Sequence, residues 1–402
     1  MRPPDHQPSR RRFLDATGAM VALGLTAGCT SDAGHSGSGR ASDDAEPPDA
    51  QTASAATPAP VPATGTHQAG ITLPQPAQGN LLAVVADLTA AADPGPLLAE
   101  LGRAVAALTA GTDARLLGLP PGDLTVTVGV GPRLVRTAGA ALPGGTDLPG
   151  GTDLPRFSRE QVAAGARGGD LLLQICASDA LLPAVAATAL LEQAGSRLRE
   201  RWRQSAHRGA NIPVGKSLTA PRNLLGFIDG IVGPHTAEAQ QRNLWLAGPS
   251  QVAGGTIAVV RRMALDLPRF AALSVAEQEA VFGRRRTSGA PLSGGAITAD
   301  PSLGAKTPDG RYLIPADAHV RRANANAVGA GLMLRRSYST DAPAAGLLFI
   351  SFQNELRTFT STLARMDDSD ALLAFTTTTA TGTFLILPGF TPHRPLGSTL
   401  FP

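Results

Sequence analysis

Three short segments carry residue types that could do chemistry. In Arg222-Asn223-Leu224-Leu225-Gly226-Phe227-Ile228-Asp229-Gly230, an acid stands between an apolar pair and a glycine, at the mouth of an apolar stretch. Loss of solvent there would raise the pKa of Asp229 and suit it to proton transfer, whereas the bland reading is an Asp-Gly turn. In Pro315-Ala316-Asp317-Ala318-His319-Val320-Arg321, a lone imidazole follows a Pro-containing turn. It can act as ligand or base, or simply cap a helix at a half-exposed position. In Met333-Leu334-Arg335-Arg336-Ser337-Tyr338, two permanent cations are adjacent. They can steady a developing negative charge, or form salt bridges at a strand end. The residues alone leave each pair of readings open.

Other chemistries lack support. The chain has no H-E-x-x-H, no G-x-S-x-G and no P-loop, and Gly129-Val130-Gly131-Pro132 lacks the third glycine of a dinucleotide fingerprint. Two cysteines, Cys29 and Cys176, exclude a disulfide framework and a Cys-based zinc or iron–sulfur site. Cys176, in an apolar run, reads as a buried hydrophobe. A net charge of +3 over 402 residues argues against a nucleic-acid binder, which would gather cations on one face. Hydrophobic residues make up 43% of the chain, enough for a sizeable core.

The elements that must position these segments begin well inside the chain. Ser9-Arg10-Arg11-Arg12-Phe13-Leu14 followed by a short apolar stretch reads as a twin-arginine export signal, and Leu25-Thr26-Ala27-Gly28-Cys29 as a lipobox that would lipidate Cys29. We therefore expect a signal peptide over 1–29, a disordered Ser/Ala/Pro-rich linker over 30–65, and two folded domains over 66–222 and 223–402. In the first domain the patterns predict strands at Leu81–Leu88, Leu124–Val130 and Asp170–Ser178, and helices at Pro94–Ala110 and Ala180–Arg203. The tandem LPGGTD copies at 142–147 and 148–153 read as a loop without function. In the second domain, strands are expected at Gly255–Met263, Gly346–Gln353 and Gly382–Leu387. Helices are expected at Ser274–Phe282, with Ser274 and Glu277 as a capping box, and at Glu355–Ala364. The similar element order of the halves predicts an α+β fold of duplicated ferredoxin-like domains with antiparallel sheets and a cavity closed by helices.

Taken together, the three chemical segments resemble the dye-decolorising peroxidase family, specifically its twin-arginine-exported branch. Gly226–Gly230 is similar to that family's G-x-x-D-G motif, Ala318–Arg321 to its A-H-V-R motif and Leu334–Tyr338 to its L-R-R-x-Y motif. The resemblance extends to Gly65–Ile71, to Gly283-Arg284-Arg285-Arg286 with Gly289–Leu292, and to Gly346–Gln353. Departures fall at Ile231, at Val232-Gly233-Pro234, at Thr340 and in the 322–334 loop, which lacks the usual proline and extra arginine.

The resemblance implies a haem peroxidase with one haem b per chain, held in the C-terminal half between sheet and helices. It implies His319 as the iron ligand, Asp370 as the carboxylate behind it, Asp229 as the proton shuttle and Arg335 as the charge stabiliser. Arg222, Arg284 and Arg321 are candidates for the haem propionates. Trp202, Trp245, Tyr312 and Tyr338 are the available relay aromatics, with buried packing the simpler reading of each. The implied partners are hydrogen peroxide and a reducing substrate, small or bulky, outside the cytoplasm; a homo-oligomer is compatible. The alternative is a deferrochelatase-like envelope protein handling haem or iron beside an iron-uptake permease, and a haem-free ligand-binding lipoprotein is the third reading.

Overall fold

The structure is a computed structural model that describes residues 58–214 and 219–402. The export motif, the lipobox-like segment and most of the expected linker lie outside the described residues. The folded part starts earlier than expected: Ala63 is buried in the first core, and Gly65 N donates to Phe390 O (3.1 Å).

The chain begins with β1 (Asn80–Leu88), α1 (Pro94–Thr109), β2 (Thr125–Val130), α2 (Pro132–Ala141), β3 (Leu171–Ala177), α3 (Leu182–Ala194) and β4 (Leu198–His207). Two short strands follow, β5 (Ile212–Pro213) and β6 (Thr219–Ala220), and then α4 (Ala237–Asn243). The second half comprises β7 (Thr256–Leu265), α5 (Leu267–Ala271), α6 (Val275–Phe282), α7 (His319–Arg322), α8 (Ala325–Val328), β8 (Leu334–Thr340), β9 (Gly346–Gln353), α9 (Leu356–Ser369) and β10 (Thr376–Ile386).

The first half pairs its strands in the order β4-β1-β3-β2 and the second in the order β10-β7-β9-β8, all antiparallel. These are the same ferredoxin-like order twice over. The two sheets join edge to edge into a closed barrel, so neither keeps a free edge. The seams are narrow: Leu385 and Ile386 pair with Val130 and Gly129, and His207 pairs with Ser339.

Strand alternation splits the apolar residues between two cores. Leu82, Val84, Leu173 and Ile175 face outward beneath Leu97, Leu101 and Val105 of α1 and Ala186 and Leu190 of α3. Leu81, Ala83, Val85, Leu172 and Cys176 face the barrel interior, where they meet Ala258, Val260, Ile350, Phe352 and Phe384 of the second half. Both faces of β1 and β3 are thus covered, which is why they read as continuous apolar runs.

The reading of Ala180–Arg203 as one helix is corrected. The helix ends at Gly195, whose φ of +55° suits glycine, and the chain re-enters the sheet as β4. The Arg- and Glu-rich stretch favours a helix locally, but pairing with β1 from Asn80↔His207 to Leu88↔Leu198 overrides that preference. Helix α2 was also missed. The capping box of α6 is present as expected, and the LPGGTD repeats form no helix or strand. No helix among the described residues is long and apolar enough to cross a membrane.

Candidate active site

On the outer face of the second sheet, beneath α7, α8 and α9, lies a cavity of about 950 Å3. The pleat decides which residues reach it. Arg335 and Ser337 of β8 line it, whereas their neighbours Arg336 and Tyr338 are buried on the barrel side. The adjacent arginines therefore part company. Arg336 donates from Nε to Ile71 O (2.7 Å) and braces the 71–78 segment against the barrel.

The Asp229 loop is shaped by its own sequence. The Asn223 side chain accepts from the backbone N–H groups of Leu225 and Phe227 (3.1 Å each). Gly226 and Gly230 have φ of +86° and +80°, which explains the glycine at each end of the motif. Phe227 anchors the loop by stacking on Phe282 (centroids 3.8 Å apart) within a cluster that includes Phe270 and Phe375. Phe282 also lies edge-on to the His319 ring at 6.1 Å, so one aromatic cluster supports both functional loops. Asp229 Oδ1 accepts from Gly230 N (2.7 Å) and faces Arg335 Nη2 at 3.8 Å. Between the two readings of this acid, a desolvated carboxylate or an Asp-Gly turn, burial is partial: the side chain is 26% exposed and stands beside a guanidinium.

His319 opens the short helix α7. Its Nδ1 lies 2.8 Å from Asp370 Oδ2, and the Asp370 side chain is fully buried. Asp370 follows α9 directly, and its Oδ1 accepts from Leu372 N (2.9 Å). Both carboxylate oxygens are thereby fixed, and with them the ring plane. Nε2 of His319 has no hydrogen-bond partner among the described residues, and the side chain is 31% exposed where it lines the cavity. A nitrogen oriented through its ring partner and open on the other side is the usual arrangement of an imidazole that ligates a metal.

Of the three arginines expected at haem carboxylates, only Arg284 lines the cavity. It is buried and donates to Gly289 O (2.8 Å) and Ile297 O (3.0 Å); burial, then repulsion from Arg335, pushes its pKa down. Arg222 and Arg321 are engaged elsewhere. Arg222 donates to the carbonyls of Gly226, Arg286 and Thr287, Arg321 donates to those of Leu303, Ile314 and Pro315, and neither reaches the cavity. Both brace loops instead. Trp202, Trp245 and Tyr338 are buried, while Tyr312 is exposed, with Lys306 and Arg321 over its ring.

Several cavity residues carried no local motif. Arg159 reaches it from the first half; Arg242, Arg261 and the three methionines Met263, Met333 and Met366 also line it. The parity of a strand, the facing of a helix (Arg242 in α4, Met366 in α9) or the docking of a remote loop brings them there.

The comparisons agree with this architecture. The family model "Dyp-type peroxidase, N-terminal" matches residues 68–208, and "Dyp-type peroxidase, C-terminal" matches residues 220–391. The chain is 31% identical over 357 residues to a deferrochelatase of Yersinia pestis, covering 82% of this chain and 81% of that protein. It is 29% identical over 416 residues to the deferrochelatase of Escherichia coli (strain K12), covering 96% and 94%. Among solved structures, an oxyferrous complex of DtpA from Streptomyces lividans superposes with a TM-score of 0.77 at 31% identity, covering 86% of this chain and 98% of that one. A DyP-type peroxidase from Cellulomonas bogoriensis gives 0.75 at 31% identity, covering 86% and 99%. With both halves of the family matched in order and a relative 31% identical over 82% of this chain, the chain belongs to the Dyp-type peroxidase family.

Proposed function

We propose that the cavity is the haem site of a peroxidase, with His319 as the iron ligand, Asp370 as its orienting carboxylate, and Asp229 and Arg335 as the peroxide-handling pair. The observation that carries this reading is the His319–Asp370 contact (2.8 Å), which leaves Nε2 turned to the same cavity that holds the Asp229–Arg335 pair. The cavity fits a flat, mostly apolar ring bearing carboxylates. Its walls include Leu265, Phe282, Val320, Leu347, Phe349 and Leu363, and its charged lining includes five arginines.

Haem, when bound, supplies an iron that breaks the O–O bond of peroxide and stores the oxidising equivalents for organic donors. The rest falls to the protein. Asp370 accepts from Nδ1–H and so keeps the Nε2 lone pair free for ligation. Asp229 Oδ1 is occupied by Gly230 N and faces Arg335, which leaves Oδ2 to take the proton from one peroxide oxygen and return it to the other. Arg335 cannot lose its proton, so it holds a fixed positive charge beside the oxygen that becomes negative.

Haem-free protein titrated with haem should develop a Soret band that His319→Ala weakens strongly. Rapid mixing with peroxide should slow by on the order of 10²-fold in Arg335→Leu or Asp229→Asn. Unchanged haem binding without the imidazole, or indifference of the peroxide reaction to both substitutions, would overturn the assignment.

The deferrochelatase relatives favour a second reading, in which the same bound haem gives up its iron. Recovery of metal-free porphyrin from haem-loaded protein under reducing conditions would support it, and recovery of intact haem would exclude it. The twin-arginine motif and Cys29 support activity outside the cytoplasm, tested by fractionation and by mass analysis of the mature N-terminus.

A further inference from the structure

Five arginines line the cavity, and four are engaged. Arg335 faces Asp229, Arg261 is paired with Glu160 (3.1 Å), Arg242 has Glu238 at 3.8 Å, and Arg284 is bonded to two carbonyls. The Arg159 side chain alone among them has no hydrogen-bond, ion-pair or aromatic partner among the described residues. It is exposed, and it comes from the first half of the chain.

Its backbone is more telling. Arg159 has φ of +55°, one of two non-glycine residues among those described with positive φ. The left-handed region costs an ordinary side chain on the order of 1 kcal/mol and persists only where neighbours enforce it. Here they do. Arg159 O accepts from Thr378 N (2.9 Å), and Gln161 N donates to Thr378 O (2.8 Å). Ser158 N donates to Asp367 (2.7 Å), and Glu160 is gripped by Arg261 and Arg167. Phe157 packs edge-on against Phe359 of α9. Every neighbour is tied to the second half through backbone or side chain, while the Arg159 guanidinium stays unpaired at the cavity.

We propose that Arg159 is the cavity's anion-binding residue, contributed by the N-terminal half to hold a carboxylate of the occupant. This rests on the haem reading above, which supplies the occupant's chemistry. A guanidinium fork matches a carboxylate bidentately, and an exposed mouth suits a ring that enters with its charged edge outermost. The source of the carboxylate is a ring propionate or an anionic electron donor, and the same assay separates them.

Haem-free protein is titrated with haem and with haem dimethyl ester, whose carboxylates are masked. Arg159→Gln is expected to weaken haem binding about tenfold, as loss of a charged hydrogen bond does, and to leave the diester unaffected. Arg159→Lys should recover part of the loss. Arg159→Gly should weaken haem binding equally while the thermal midpoint of the haem-free protein stays level or rises, because glycine relieves the backbone. A merely structural arginine would show the opposite split. If haem affinity holds but KM rises for a phenol carboxylate and not for a neutral phenol, the carboxylate is the donor's and the site stands. If neither moves in Arg159→Gln, the proposal is wrong. Failure of wild-type protein to bind haem would instead sink the underlying reading, so the two failures are distinguishable.

Discussion

The Asp370→Asn substitution tests the site at the point where its geometry is most constrained. The side chain is fully buried, with Oδ2 at 2.8 Å from His319 Nδ1 and Oδ1 at 2.9 Å from Leu372 N. Asparagine keeps the shape but has one acceptor and one donor where the site needs two acceptors. If its oxygen serves Leu372, the amide N–H2 faces Nδ1 and drives the ring proton to Nε2, the nitrogen that must be bare to ligate. If the amide flips, its N–H2 opposes Leu372 N–H and leaves a buried donor unsatisfied, a cost of about 1–3 kcal/mol. Loss of such an orienting carboxylate weakens metal binding by about 10–100-fold, or about 1.4–2.7 kcal/mol. The two routes are similar in magnitude but differ in where the cost falls: the first weakens ligation through Nε2, and the second destabilises the fold while Nδ1–H keeps its acceptor. Haem titration of the haem-free variant should show this weakening, and urea unfolding should show whether the cost falls on ligation or on the fold. Haem affinity within about twofold of wild type, with stability also unchanged, would refute the reasoning.

Glu160 and Arg261 are each only 5% exposed, and burial holds the Arg261 pKa below its usual value. Glu160→Gln should therefore cost about 3–5 kcal/mol in urea unfolding, and adding Arg261→Met should recover part of it; strict additivity would contradict the pairing. Burial raises the Cys176 thiol from 9.0 to about 11, and burial likewise raises the Tyr338 phenol. The folded state thus favours the protonated thiol. The associated stability is fully present below about pH 9 and is lost as the pH rises towards 11, by about 2–3 kcal/mol from Cys176. Urea midpoints across that range should fall, and less steeply in Cys176→Ala. Met263, Met333 and Met366 all line the cavity, so excess peroxide without a donor should convert them to sulfoxides. Peptide mass analysis of the haem-loaded protein checks this, and unmodified methionines after haem bleaching would count against peroxide chemistry in this cavity.

The helices α1 and α6 and the strands β1, β2, β3, β7 and β9 were legible in the sequence, because local periodicity and caps agree there with the tertiary environment. Strand β4 was not: its charged residues favour a helix in isolation, and only a ladder with β1 makes it a strand.

Asp229, His319 and Arg335 were legible as residues because their motifs are local. Their convergence on one cavity was not written in any single segment. The glycines at 226 and 230 set the Asp loop by backbone sterics that the sequence displays. The split between Arg335 and Arg336 follows strand parity, but only pairing with β9 shows which parity faces the cavity. Arg222 and Arg321 have the right chemistry near the right motifs, yet nearby backbone carbonyls claim them first. Arg159 sits in a loop with no pattern and becomes part of the site only when that loop docks on β10. Sequence determines what is short-range, namely caps, turns and alternation, because those depend on neighbours along the chain. Tertiary structure decides which side chains remain unpaired at the cavity, because pairing there also depends on groups far along the chain, as for Arg261 with Glu160 and Arg335 with Asp229.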